Sequence, residues 1–100
     1  MAYFLHYFDE VETDVVEAKS WYKKQKNGLE IEFATAIEKT IKHILENPKS
    51  YALRYKIIRI AQPKIFPYNI HFYIDEPKQM VVITAIVHNK RLPKVATKRL

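Results

Sequence analysis

The residues of this chain that could carry acid–base or phosphate chemistry lie in its second half. They are a histidine, a tyrosine and three cations, namely His88, Tyr68, Arg59, Lys64 and Arg91. Cleavage of RNA without a metal needs a general base, a general acid and cations placed against the charge that develops on the phosphate. These residue types supply all three. His88 is the best candidate for proton transfer, because it ends an apolar segment just before a basic tail.

Two of these side chains also have a structural interpretation. For His88 we favour a ring that hydrogen-bonds the backbone of the tail, because no residue at a recognisable spacing would orient it for catalysis. Tyr68 follows Phe66 and Pro67, and a proline inside a strand pattern marks a bulge, an edge or a strand start. We expect Phe66 in the core, whereas the hydroxyl of Tyr68 needs a hydrogen-bond partner or water.

Other classes of site are excluded by composition and spacing. The chain has no cysteine, which excludes thiol catalysis, disulfides and cysteine-based zinc sites. Its four histidines are His6, His43, His71 and His88. They lie in four different predicted elements without the spacing of a metal motif. Gly28 is the single glycine, so a glycine-rich phosphate loop cannot form. We therefore expect no metal and no other cofactor.

The net charge of +6 is unevenly distributed along the chain. Residues 1–50 carry seven lysines against two aspartates and seven glutamates, a net charge of −2. Residues 51–100 carry six lysines and four arginines against one aspartate and one glutamate, a net charge of +8. Such an excess in one half predicts a basic surface that faces an acidic protein or a nucleic acid.

Length and composition indicate one soluble domain. One hundred residues with 48% hydrophobic and 28% charged content suffice for a single core. The apolar segments are far shorter than the roughly 20 residues of a membrane span. The first ten residues, MAYFLHYFDE, have no basic region ahead of their apolar run and do not resemble a signal peptide. We predict a cytoplasmic protein that does not enter a membrane.

Hydrophobic periodicity predicts two helices joined by a short turn. The first begins with Asp9 as its cap and ends at Asn27-Gly28. Its apolar face consists of Val11, Val15, Ala18 and Tyr22. The second ends at Asn47-Pro48, and its stripe consists of Leu29, Phe33, Ile37, Ile41, Ile44 and Leu45. Because the link is so short, the helices should form an antiparallel hairpin.

The remaining apolar segments predict four strands. They are Ala2–Phe8, Tyr55–Ala61, Phe66–Asp75 and Met80–His88. Simple alternation places Val81, Ile83, Ala85 and Val87 on one face of the last strand. The tail, 89–100, is expected to be a loop or a frayed terminus. The predicted architecture is α+β in the order β-α-α-β-β-β, with a helical hairpin packed on a mostly antiparallel four-stranded sheet, in one domain that spans residues 1–100.

Several motifs, in the same order as the elements, resemble the RelE/ParE superfamily of toxins, the toxin halves of type II toxin–antitoxin pairs. The motifs are D-V-x-E-A-x-x-W-Y at 14–22, N-P at 47–48, F-P-Y-x-I at 66–70 and A-I-x-H-x-x-R-x-P at 85–93. Together they cover nearly the whole chain. The F-P-Y motif and the closing H-x-x-R-x-P resemble the ParE-like branch, which includes plasmid stabilisation proteins.

The two branches of the superfamily imply different activities. RelE-like members are ribosome-dependent mRNA endonucleases that use arginines, lysines and a tyrosine or histidine near the concave face of the sheet. ParE-like members share the fold, lack that constellation and poison DNA gyrase. Here Pro67-Tyr68 stands where RelE-like enzymes tend to place an arginine, and no tyrosine follows His88. The resemblance therefore implies a gyrase inhibitor. The alternatives are an mRNA endonuclease and a non-toxic relative that only binds an antitoxin.

The resemblance also implies partners and contact residues. A cognate antitoxin would lay a flexible segment over an apolar groove and the basic surface. Either DNA gyrase or the ribosome with its mRNA would be the target. Five residues on or beside the sheet are the expected contacts, namely Arg59, Lys64, Tyr68, His88 and Arg91. If the chain is a ribonuclease, His88 or Tyr68 would carry the acid–base work and Arg91 or Lys64 would hold the phosphate.

Overall fold

The computed structural model of the chain describes residues 3–90 and 94–100. Its elements are β1 (Phe4–Tyr7), α1 (Asp9–Gln25), α2 (Leu29–Glu46), a 3₁₀ turn (Pro48–Ser50), β2 (Leu53–Tyr55), β3 (Ile58–Ala61), β4 (Tyr68–Asp75), β5 (Met80–His88) and α3 (Lys94–Thr97). No helix in the described parts of the chain is both long and apolar enough to cross a membrane. The predicted α+β class and the order of the two long helices are confirmed.

The sheet has five strands rather than the predicted four, in the order β1-β5-β4-β3-β2. Only the pairing of β1 with β5 is parallel among the described strands, so the sheet is mostly antiparallel as expected. The extra strand arises because the segment Tyr55–Ala61 is not one strand. Lys56 adopts a left-handed conformation with φ of 46°, which reverses the chain and turns the segment into the β2–β3 hairpin.

The helical hairpin forms where the sequence predicts it. Gly28 has φ of 96°, a left-handed conformation that glycine adopts without the steric cost of a side chain. The Glu30 carboxylate accepts a 2.8 Å hydrogen bond from the Gly28 amide and holds the start of α2. The predicted cap of α1 was wrong by one residue, since Phe8 is the capping residue and Asp9 is the first residue of the helix. The Asp9 carboxylate still lies at the positive end of the helix dipole.

α1 and α2 cover one face of the sheet around an aromatic core. Phe33 is fully buried, and its ring centroid lies 5.3 Å from that of Phe66 and 5.0 Å from that of Tyr68. Tyr22 stacks on Phe33 at 5.1 Å. The expectation that Phe66 is a core residue is confirmed. We define the opposite side of the sheet, which α1 and α2 do not cover, as the second face.

A bulge in β5 changes which residues reach the two faces. Phe72 pairs with Ile83 while His71 pairs with Ala85, so Thr84 is the extra residue. Ile83 packs under the helices, whereas Ala85 and Val87 turn to the second face and contact Ala96 of α3. The alternation predicted for β5 is therefore wrong beyond Thr84, because an inserted residue shifts the two-residue period by one.

The C-terminal tail is docked rather than frayed. β1 ends at Tyr7, and the Phe8 amide makes the last backbone bond of this segment to β5, at Ile83. Beyond that point the edge of β5 faces Asp14 of α1, which is buried and accepts a 3.0 Å hydrogen bond from the Ile86 amide. Arg99 forms two hydrogen bonds to the same carboxylate, at 2.6 and 2.9 Å, and donates a third at 3.1 Å to the Thr84 carbonyl.

The ion pair of Asp14 with Arg99 should contribute strongly to stability. We expect Asp14→Ala and Arg99→Ala each to lower the free energy of unfolding by about 3 kcal/mol, because each leaves a charge poorly paired in a site of low exposure. The double variant should lose less than the sum of the two. Urea unfolding of the four proteins measures this coupling. Lys49→Ala is the control, since its ion pair with Glu76 is exposed and should contribute far less. Additive losses would show that the pair is not coupled.

Candidate functional site

Tyr68 and His88, two of the predicted site residues, are brought together at one end of the sheet. They occupy paired positions on β4 and β5, and their ring centroids are 5.4 Å apart. Together with Asp14, Glu17 and Ala18 of α1 they line a cavity of about 150 Å³ beside the β5 edge. The cavity is small and lies between the ends of two elements, so it suits one side chain of a partner better than a nucleotide.

The surroundings of both rings are structural. Tyr68 is only 8% exposed, because its ring packs against Phe33 and Tyr22 in the aromatic core. The Nδ1 atom of His88 accepts a 3.1 Å hydrogen bond from the Lys90 amide. This is the contact with the tail's backbone that the structural interpretation of His88 expects. Neither ring is placed as a free acid or base at an open surface.

The other predicted residues lie elsewhere. Lys64 is exposed in the segment between β3 and β4, where it lines a separate groove along α2. Arg59 on β3 donates a hydrogen bond from its guanidinium to the Tyr51 carbonyl and is half-buried. Arg91 lies outside the described residues. The four predicted residues that the structure describes are therefore divided among different parts of the molecule, and of these four Tyr68 and His88 share a cavity.

The second face carries a polar pair that the sequence analysis missed. The hydroxyl of Tyr55 lies 2.9 Å from Nδ1 of His71, and the two ring centroids are 5.7 Å apart. His71 is buried, on β4, while Tyr55 ends β2. The two residues are far apart in sequence, and no spacing motif links them. The alternation of side chains along a strand could have placed His71 on the second face, because its neighbours Ile70 and Phe72 both face the helices.

His71 is held neutral at physiological pH. Burial, followed by the positive charges of Arg99 and Arg54, lowers its pKa from 6.5 to about 4, while Asp14 acts in the opposite direction. Burial also raises the pKa of Tyr55. The site is thus an uncharged imidazole, hydrogen-bonded to an uncharged phenol, with guanidinium groups near enough to act on its charge.

Among the described residues there is no group of three histidine, cysteine, aspartate or glutamate side chains that could hold a metal ion.

Comparison with known proteins identifies the fold. No protein-family model matches the chain, and no curated protein matches it in sequence. The chromosomal ParDE toxin–antitoxin system from P. aeruginosa contains a chain with a TM-score of 0.75 and 12% identity, covering 87% of this chain and 96% of its own. A mutant of the E. coli toxin RelE in the free state has a TM-score of 0.70 and 18% identity, and the match covers 100% of this chain and 99% of the RelE chain. A chain of the RelBE2 toxin–antitoxin complex from Mycobacterium tuberculosis has a TM-score of 0.60 and 17% identity, and the match covers 88% of this chain and 99% of that chain. The fold is thus that of the RelE and ParE toxins.

The neutral state of His71 should make stability depend on pH. Because its pKa is lower in the folded chain than the ordinary 6.5, the unfolded chain takes up a proton first as the pH falls. Stability is then complete above pH 6.5 and decreases towards pH 4, by at most about 3 kcal/mol. His71→Gln should remove this part of the pH dependence in urea unfolding between pH 7 and pH 4.5.

Tyr55→Phe is the matched control for that measurement. It removes the hydrogen bond but keeps His71 buried, and burial is the main cause of the lowered pKa. Most of the pH dependence should therefore remain in this variant. An identical pH dependence in wild type and His71→Gln would contradict the neutral state of His71.

Proposed function

We propose that this chain is the toxin of a type II toxin–antitoxin pair of the ParE-like kind. It acts in the cytoplasm by binding DNA gyrase and is neutralised by a cognate antitoxin. The observation that carries this proposal is the division of the predicted catalytic residues. Lys64 lies along α2, while Tyr68 is in the core and His88 is bound to the Lys90 amide. Because these residues do not meet at one site, their placement supports binding to a protein target better than catalysis.

The positive charge of the second half of the chain is suited to an acidic protein partner. Residues 51–100 carry a net charge of +8, and Lys64 extends from an exposed segment. A basic surface accelerates association with an acidic partner and helps to select it. The solved relatives in fold include an intact E. coli RelBE toxin–antitoxin complex, which covers 90% of this chain at 17% identity. That relative supports an antitoxin as the neutralising partner.

Induced expression of the chain alone in a bacterial host tests the proposal. DNA and protein synthesis are followed with labelled precursors after induction. We expect DNA synthesis to stop first, with induction of the DNA-damage response, because a poisoned gyrase blocks replication before it affects translation. An early stop in translation would contradict the gyrase assignment. Normal growth at good soluble expression would contradict toxicity and leave a relative that only binds an antitoxin.

Charge reversal tests the proposed contact residues. Lys64→Glu combined with Arg91→Glu should raise survival after induction by about tenfold or more, because lost charge complementarity slows association on that scale. The folded state is checked by thermal unfolding. Lys23→Glu with Lys24→Glu is the matched control, since these residues lie in the last turn of α1 and the change in net charge is the same. Full toxicity in the folded Lys64 and Arg91 variant would contradict the assigned contacts.

A second candidate function is an mRNA endonuclease, favoured by the pair of Tyr55 and His71. The hydrogen-bonded imidazole and phenol, with Arg54 acting on the charge of His71, have the residue types of acid–base chemistry at a phosphate. In this case transcripts would be cleaved on ribosomes, and His71→Gln would reduce cleavage by about 10²-fold or more. His88→Ala is the comparison, because a cleavage loss confined to that variant would assign the chemistry to the cavity beside α1 instead. Intact transcripts during growth arrest would exclude both versions.

A further inference from the structure

β1 forms one free edge of the sheet. Among the described strands it pairs with β5 alone. The Phe4 and Phe8 amides both donate hydrogen bonds on the β5 side of the strand. Because backbone groups alternate in direction along an extended chain, the amides and carbonyls of Tyr3, Leu5 and Tyr7 point away from β5. This edge can therefore accept a further strand.

The side chains of this edge are apolar or weakly polar and partly exposed. The strand contains no lysine, arginine, aspartate or glutamate. Phe4 is 72% exposed and Tyr7 is 45% exposed. Edge strands of natural sheets are commonly protected by charged side chains or prolines, which discourage pairing with another chain. β1 has neither, so its sequence leaves the edge open to strand addition.

The opposite edge of the sheet is protected by positive charge. β2 is three residues long and includes Arg54, which is exposed. Lys56 follows it in the turn to β3, and no aspartate or glutamate occurs between positions 47 and 74. Two copies of the chain joined through β2 would therefore bring like charges together, which is destabilising. A second copy is compatible with the β1 edge and not with the β2 edge.

The charges at the two ends of β1 favour antiparallel pairing with a second copy. Asp9 and Glu10 begin α1 at the carboxyl end of β1. Beside the amino end, the charged side chains of the β4–β5 turn and the 3₁₀ turn sum to zero, namely Lys49, Asp75, Glu76 and Lys78. Antiparallel pairing sets the acidic end of each copy beside the neutral end of the other. It also leaves the cationic β2–β3 hairpins at opposite ends of the combined sheet, far beyond the Debye length of about 8 Å.

We propose that β1 pairs with β1 of a second copy of this chain, antiparallel about a two-fold axis at Leu5, which joins the two five-stranded sheets into one. Tyr3 then lies opposite Tyr7 of the partner subunit, and Phe4 lies opposite His6 of the partner subunit. By symmetry each of these pairs occurs twice. Ring-to-ring pairs between neighbouring strands are stabilising, and the outward backbone groups of both copies gain partners.

The association should be weak and should not depend on toxin activity. One four-residue strand from each copy buries less area than the roughly 1,600 Å² of a standard interface. The expected dissociation constant is therefore in the micromolar range or above. Sedimentation equilibrium of the purified full chain should show a reversible monomer–dimer equilibrium as its concentration rises. A monomer at every concentration up to about 1 mM would overturn the inference.

Exposed positions on the two edges of the sheet supply matched variants. Phe4→Lys places a lysine on the paired edge and should raise the dissociation constant by about tenfold or more. Leu53→Lys makes the same change of charge on β2, where the side chain is 59% exposed, and should dimerise like wild type. Thermal unfolding checks that both variants are folded. Equal dissociation constants for the two variants would contradict pairing through β1.

Disulfide cross-linking tests the register of the pairing. The chain has no cysteine of its own, and Phe4 and His6 are both exposed. A mixture of the Phe4→Cys and His6→Cys chains should form a disulfide dimer under mild oxidation, because directly opposite positions lie within disulfide distance. Either chain alone should form far less, since its two cysteines would be diagonal to each other. Arg54→Cys mixed with Lys56→Cys is the matched control on the other edge, and a mixture that cross-links no better than this control would count against the inference.

Discussion

The buried carboxylate of Asp14 is the interaction on which the rest of this structure depends. β1 is four residues long, and beyond Ile83 no other strand of the described residues pairs with this edge of β5. An uncovered sheet edge has backbone groups that need partners. Asp14 accepts from the Ile86 amide and binds Arg99, which in turn donates to the Thr84 carbonyl. One side chain of α1 thereby joins the helical hairpin, the bulged strand and the C-terminal segment.

The same ion pair acts on the second face of the sheet. Because Arg99 is held against Asp14, its guanidinium remains near His71 and helps burial to keep the pKa of that imidazole low. The bulge at Thr84 directs Ala85 and Val87 to this face, where Ala96 covers them. The state of His71 is therefore coupled to the docking of the tail. A change that released Arg99 from the sheet would remove one of the charges that oppose protonation of His71.

Local signals predicted most of the fold and little of the second face. The apolar stripes of α1 and α2, the turn at Gly28 and the strands Met80–His88 and Tyr68–Asp75 follow from residues near each other in sequence. The bulge at Thr84, the left-handed turn at Lys56 and the docking of Arg99 do not, because each is decided by contacts between distant segments. The same limit explains the site. Tyr55 and His71 meet only through the register of three strands, while the motif around His88 drew attention to a ring that the fold uses for a backbone contact.

The use of the arginines bears on which target this fold can engage. Four arginines contribute to the charge of the basic half, but Arg99 is engaged by Asp14 and Arg59 by the Tyr51 carbonyl. Binding along a nucleic acid requires several free cations that each neutralise a phosphate. Recognition of a protein can rest on a few anchors with apolar contacts around them. Lys39, Lys64 and Ile65 form an arrangement of that second kind. Two arginines, Arg99 and Arg54, act on the charge of His71. Among the described ion pairs, a carboxylate engages Arg99 but not Arg54. These contacts support the proposed protein partners.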